Sequence, residues 1–180
     1  MRKTNPKDQL YNLVIAAVFA ALIAVFTAYV SIKTGINEGY LHFGDSVIYL
    51  AACILPTPYA VAAAAIGGAL ADILGGAAIW APFTAVIKAL NVLPFALAYV
   101  CKRTDAPQKI LNKTTAFMPI VSGLITVFGY FLAEGLLFTF AGALPSVPIS
   151  CVQAVGSAVI YYIAAAALDK VHLKKRLHRR

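Results

Sequence analysis

Long apolar runs separated by short polar breaks govern this chain. The first, from about Leu10 to Ile32, is long enough to cross a hydrocarbon core of about 30 Å with some tilt. Further runs follow over 44–56, 59–74, 82–101, 115–141 and 149–168. None alternates as the strands of a membrane barrel would. The pattern therefore predicts an all-α integral membrane protein, a six-helix transmembrane bundle in one domain over 1–180. The breaks carry turn chemistry: Pro56-Thr57-Pro58, Gly75-Gly76, and GALPSVP over 142–148. The run over 44–56 is short for a crossing helix. A re-entrant hairpin made with the run over 59–74 is the alternative.

Composition agrees with the pattern. Hydrophobic residues fill 61% of the 180 positions and mean hydropathy is +0.81, whereas soluble domains run at about 45–50% apolar. Charge adds direction. The net +8 gathers in three places: Arg2, Lys3 and Lys7; Lys102, Arg103, Lys109 and Lys113; and a tail holding Lys170, Lys174, Lys175, Arg176, Arg179 and Arg180. Basic loops stay cytoplasmic, so both termini and the 102–113 loop are expected inside. Fusing the second and third runs into one helix would put that loop outside. The basic tail marks topology and contact with anionic lipid, not nucleic acid. Cys53, Cys101 and Cys151 fall in apolar runs without a CxxC pair or metal spacing, and read as packing residues. The first run lacks a small-x-small cleavage site and is kept as a span.

Polar residues inside the runs carry the functional signal. Lys88 and Asn91 lie one turn apart on the fourth run, Glu134 and Tyr130 on the fifth, and Gln153 on the sixth. Asp72 ends the third run and Trp80 follows in the break. At about 1.5 Å per residue, Lys88, Glu134 and Gln153 all fall roughly 6–10 Å below the outer ends of their helices. Intramembrane ionisable groups mark function by default, and convergent polar groups in an apolar bundle define a ligand pocket. A Lys88 that snorkels to the interface, or a Lys88–Glu134 ion pair, is the structural alternative. The loop KTGINEGYLHFGD over 33–45 closes over the same end and contributes Tyr40. His42 has no metal-ligand partner at a standard spacing. The substrate-binding candidates are Lys88, Asn91, Glu134, Gln153, Tyr130, Trp80, Asp72 and Tyr40.

The inner half carries few polar side chains, which argues against a channel or a proton relay. There is no phosphate-cradling Gly-Lys-Ser/Thr loop, no H-E-x-x-H and no Ser/His/Asp set, so no catalytic residue, metal or cofactor is expected. On the first run, Ala16, Ala20 and Ala24 recur every fourth position, with Ala17 and Ala21 beside them. Such a ridge admits a close helix, from a partner or from the chain's own bundle.

The stretches GYLHFGDSVIYLAA at 39–52 and GGALADILGGAAIWAPFTAVIK at 67–88, with the alanine ridge, resemble the substrate-binding S components of energy-coupling factor (ECF) vitamin transporters, of riboflavin or pyrimidine/pyridoxine type. The resemblance covers the whole chain. It implies a non-enzymatic subunit in the bacterial plasma membrane that captures a vitamin at the outer face under a lid formed by 33–45. It implies partners: a transmembrane coupling subunit docked at Ala16, Ala20 and Ala24, and two ATPase subunits that drive uptake. One departure is Pro56-Thr57-Pro58, where a glycine-bearing turn is expected. A stand-alone secondary transporter of a small polar metabolite is the competing function.

Overall fold

A computed structural model describes residues 5–33, 40–102 and 109–177. Residues 34–39, within the expected 33–45 lid, and 103–108 lie outside the described residues. Helix α1, Pro6–Ala28, is followed by a two-stranded antiparallel hairpin of β1, Ser31–Lys33, and β2, Tyr40–His42. Then come α2, Asp45–Ile54, and α3, Thr57–Leu74. A single 3-10 turn at Ala78–Trp80 leads into α4, Ala81–Lys102. The remainder is α5, Lys113–Leu137, a one-turn α6, Phe140–Ala143, α7, Ser146–Lys170, and a short α8, Leu173–Leu177.

Local chemistry sets these boundaries. Asn5 caps α1, its side chain accepting from the Lys7 amide with Pro6 just inside the helix, so α1 begins before the apolar run does. It stops at Ala28, short of the expected Ile32, because Ser31–Lys33 pairs as a strand with Tyr40–His42. Asn112 and Thr115 form a reciprocal capping box at the start of α5. Near its other end the helix breaks at Phe138, and the Thr139 hydroxyl caps a separate turn. Helix α7 starts at Ser146, inside the expected GALPSVP turn, because Pro148 falls in its first turn, where no amide donor is needed.

Among the described residues, five helices are long and apolar enough to cross a membrane. The sixth segment, α2, has 10 residues, or about 15 Å of helix, half a hydrocarbon core. It survives as a core helix: nine of its residues are buried, among α1, α3, α4 and α7. Side-chain pairings fix the helix directions. Asp45 bonds Gln153 and Cys53 bonds Tyr161, so α2 and α7 run parallel. Thr84 meets Tyr130 and Asn91 meets Thr126, so α4 and α5 run antiparallel. The hairpin and the Gly75–Trp80 turn lie at one end of the bundle, hereafter the hairpin end; α8 lies at the other, the tail end.

Large apolar side chains such as Val155, Ile163 and Leu136 are exposed on the bundle's outside, as a lipid-facing surface requires. The chain is a multi-pass membrane protein.

The alanine ridge is used inside the chain. Ala16, Ala20 and Ala24 are buried, in the helix that packs closely on α3. A Cβ on Gly67 would stand 2.6 Å from the Ala20 carbonyl oxygen. Small residues on both helices let the backbones touch. The expected partner-docking face is thus occupied by α3, and the outward face of α1 carries Ala17 and Ala21 instead.

Candidate functional site

Asp45 occupies the first turn of α2, two residues past the Phe43 that follows the hairpin. It is 0% exposed, and side chains from three other helices meet its carboxylate. Lys88 of α4, also 0% exposed, donates to Oδ1 at 2.6 Å. On Oδ2, Gln153 of α7 donates at 3.2 Å and the Thr126 hydroxyl of α5 at 3.4 Å. Thr126 in turn accepts from Asn91 Nδ2 at 2.8 Å. The Ser122 hydroxyl donates to the Asn91 carbonyl at 2.9 Å.

A buried ion pair holds only when geometry is good and the remaining lone pairs are used. Here both carboxylate oxygens are occupied, and Lys88 Nζ also sits 5.0 Å from the centre of the Tyr130 ring, a cation–π contact that disperses its charge. The Lys88 stem has room because Gly68 faces it: a Cβ there would lie 2.9 Å from Lys88 Cγ.

Above this hub, toward the hairpin end, lies an aromatic rim. The Tyr130 and Thr84 hydroxyls bond at 3.2 Å. Trp80 packs against Tyr130 and Phe138, with centroids 6.1 and 6.2 Å away. Two buried polar atoms in this region have no hydrogen-bond partner among the described residues: the Trp80 indole N–H and the Asn91 amide oxygen. They flank Lys88 in sequence, Trp80 in the turn before α4 and Asn91 on α4, one a donor and one an acceptor.

His42 closes the hub from the hairpin side. It is 3% exposed, and its Nδ1 accepts from the Gly44 amide at 3.2 Å. Burial, reinforced by the Lys88 charge and opposed by Asp45, pushes its pKa down to about 3. It is a neutral imidazole at physiological pH.

The sequence candidates separate accordingly. Lys88, Asn91, Gln153 and Tyr130 meet in one network, and Trp80 joins through Tyr130. Asp72 is buried on α3, close enough to act electrostatically on Tyr130. Glu134 does not pair with Lys88; it accepts from the Ser146 hydroxyl at 2.6 Å, because α6 brings the start of α7 over it. The Tyr40 side chain lies outside the described ones. Sequence reasoning missed Asp45, which a capping position disguises, and Thr126, which looks like an ordinary helix residue. The available signal was stoichiometric: a lysine buried on α4 needs an acid, and Asp45 opens the most fully buried helix.

A half-length core helix, a capping hairpin and a polar hub inside an apolar bundle define a multi-pass membrane protein with a buried polar site. Residues 7–170 match the family model for the ECF-type riboflavin transporter S component, and the chain belongs to that family. It is also 32% identical over 138 residues, 77% of this chain and 88% of the relative, to an uncharacterized protein in the gap 3′ region of Pyrococcus woesei.

Proposed function

We propose that this chain is the substrate-capturing subunit of an ECF importer, enclosing riboflavin or a vitamin of similar size and polarity at the hairpin end. In this reading the bundle has six alternating segments in one domain, both termini are cytoplasmic, and the hairpin end faces outward from the cell membrane. A transmembrane coupling subunit and two ATPase subunits supply the energy, and this chain performs no catalysis.

The convergence of α2, α4, α5 and α7 on Asp45 carries the proposal. A ligand with a heteroaromatic amide edge offers an acceptor to Lys88 and a donor to Asp45, replacing one bond with two. Trp80 and Tyr130 supply the stacking surface, and the unpartnered Trp80 N–H and Asn91 oxygen supply further sites for ligand polar groups. In this reading Glu134, Gln153 and Asp72 border the same site.

The test is binding by the isolated, detergent-purified chain, read from quenching of riboflavin fluorescence. The wild type should bind, and Lys88→Met and Trp80→Phe should each weaken binding at least tenfold, since each leaves a ligand group unpaired at about 1–3 kcal/mol. Absence of riboflavin binding by a folded wild type overturns the riboflavin assignment. Wild-type affinity in both variants moves the pocket elsewhere.

A further inference from the structure

Three consecutive residues seat the end of β2 on the bundle, and each uses a different neighbour. Phe43 lies against Gly156 of α7, where an added Cβ would collide with its ring. Gly44 lies against Thr27 of α1, whose hydroxyl an added Cβ would strike. His42 is buried beside the Asp45–Lys88 hub, and its Nδ1 accepts from the Gly44 amide at 3.2 Å. The first two seats are steric fits between uncharged groups. The third holds a group that titrates. Asp45 and Lys88 beneath it have no exposure to solvent. A ligand that reaches them from the hairpin end displaces what covers them, and His42 is part of that cover.

The seat fits only the neutral ring. A neutral imidazole has one acceptor nitrogen, and the Gly44 amide uses it, so the ring proton is on Nε2. A second proton would turn Nδ1 into a donor facing a donor. Burial also removes the water that a cation needs, and Lys88 already places a positive charge nearby. Asp45 pulls the other way, but Lys88 takes its Oδ1, and Gln153 and Thr126 take its Oδ2. Among the described residues, the charged groups acting on His42 are Lys88 of α4 and Asp45 of α2. Tyr49 of α2, Tyr130 of α5 and Asp72 of α3 are the titratable groups around those two. The strand partner Ser31, Thr27 of α1 and Gln153 of α7 bring no charge.

We propose that His42 is a proton-operated latch on the capture site: seated, it holds residues 42–44 over the hub, and on taking a proton from solvent at Nδ1 it leaves, so that acid speeds the passage of ligand. This regulation rests on the capture reading. Outside its seat the ring has the ordinary pKa of about 6.5; seated, it is held at about 3. Opening therefore takes up a proton below about pH 6.5, and the open fraction rises about tenfold per pH unit from there toward pH 3. From about pH 7.5 to about pH 5 the gain is about thirtyfold. Two strands of three residues each offer little resistance. Entry and release accelerate together, because both pass through the open form.

Hydrogen exchange at the Gly44 amide, which the seated ring protects, reads the open fraction without ligand. The full chain in detergent is compared at about pH 7.5 and about pH 5, with the intrinsic exchange rate divided out; protection at Gly44 should fall about thirtyfold. The Leu55 amide, bonded to the Ala51 carbonyl at the far end of α2, should keep its protection. An unchanged Gly44 value, or an equal fall at Leu55, overturns the latch without any variant. In His42→Asn an amide oxygen takes the place of Nδ1 and binds no proton, so Gly44 protection should be the same at both pH values; a fall of wild-type size overturns the latch by assigning the proton elsewhere. Riboflavin release, followed by recovery of its fluorescence, should speed up about thirtyfold over the same range in the wild type and stay level in His42→Asn. A wild-type release rate that ignores pH removes the latch from control of the site. A wild type that binds no riboflavin sinks the riboflavin assignment, while the Gly44 measurement still decides the latch.

Discussion

At Asp45 a carboxylate and an ammonium lie 2.6 Å apart with no exposure to solvent. Such a pair is nearly neutral in energy as a unit and expensive when halved, because the remaining charge stays buried. Asp45→Asn and Lys88→Met should therefore each lower stability by about 3–5 kcal/mol, read from thermal unfolding in detergent. The double variant should lose clearly less than the sum; strict additivity would mean that the two groups do not depend on each other. His42 adds a pH dependence of defined sign. Its folded pKa of about 3 lies below its unfolded value of about 6.5. The folded state then resists the proton that the unfolded state takes. Its stability contribution is complete above about pH 6.5 and falls by roughly 1.4 kcal/mol per pH unit toward pH 3. His42→Gln should flatten that slope in a stability–pH series; the same slope in the variant would assign it to carboxylates. Of this residue-scale picture, the sequence shows Lys88, since a lysine in an apolar helix is conspicuous. It hides Asp45, because an acid opening a helix after a glycine-bearing loop is ordinary capping chemistry. Only a contact across 43 positions reveals its partner.

Helix α1 shows what one-dimensional spacing leaves open. A small residue at every fourth position predicts close approach and does not say by whom. The structure answers with Gly67 of α3, whose added Cβ would collide with backbone rather than with a yielding side chain. Gly67→Ala should force α1 and α3 apart and destabilise the chain by about 1–3 kcal/mol; a neutral effect would mean the helices slide freely. The outward face, where Ala17 and Ala21 stand among Val14, Val18, Leu22 and Val25, remains available for the coupling subunit. Two neighbouring substitutions then separate folding from docking. Ala20→Trp should unfold or strongly destabilise the isolated chain. Ala21→Trp should leave its stability and ligand binding intact while abolishing co-purification with the coupling subunit and ATP-dependent uptake. Retained co-purification in Ala21→Trp would place the docking surface elsewhere. The long helices were legible because apolar runs of that length have one solution in lipid. The hairpin and the half-length α2 were not, because neither length nor hydropathy separates a short buried core helix from half of a re-entrant loop.

The whole molecule joins two independent patterns. Packing gives each element a direction: α2, α4 and α7 run from the hairpin end to the tail end, and α5 runs back. Packing inside a bundle carries no information about which end faces the cytoplasm. Charge does, since it acts across the membrane during insertion rather than between helices. Among the described residues, Lys7 at the start of α1, Lys109 and Lys113 before and at the start of α5, and Lys170 and Arg176 at and beyond the end of α7 lie at the tail end; under the positive-inside rule that end would be cytoplasmic and the proposed pocket would open outward. The half-length α2 leaves this parity intact, because it starts at the hairpin end and returns the chain to α3, which climbs back to the Gly75–Trp80 turn. Single cysteines in a chain stripped of Cys53, Cys101 and Cys151 test the arrangement. Leu144, 61% exposed beside α6, marks the hairpin end, and the exposed Lys113 at the start of α5 marks the tail end. A membrane-impermeant maleimide added to intact cells should label Leu144→Cys and spare Lys113→Cys until the cells are opened. Labelling of Lys113→Cys in intact cells would invert the bundle, and with it put the Asp45 hub on the cytoplasmic side, where a capture subunit for external vitamin has no use for it.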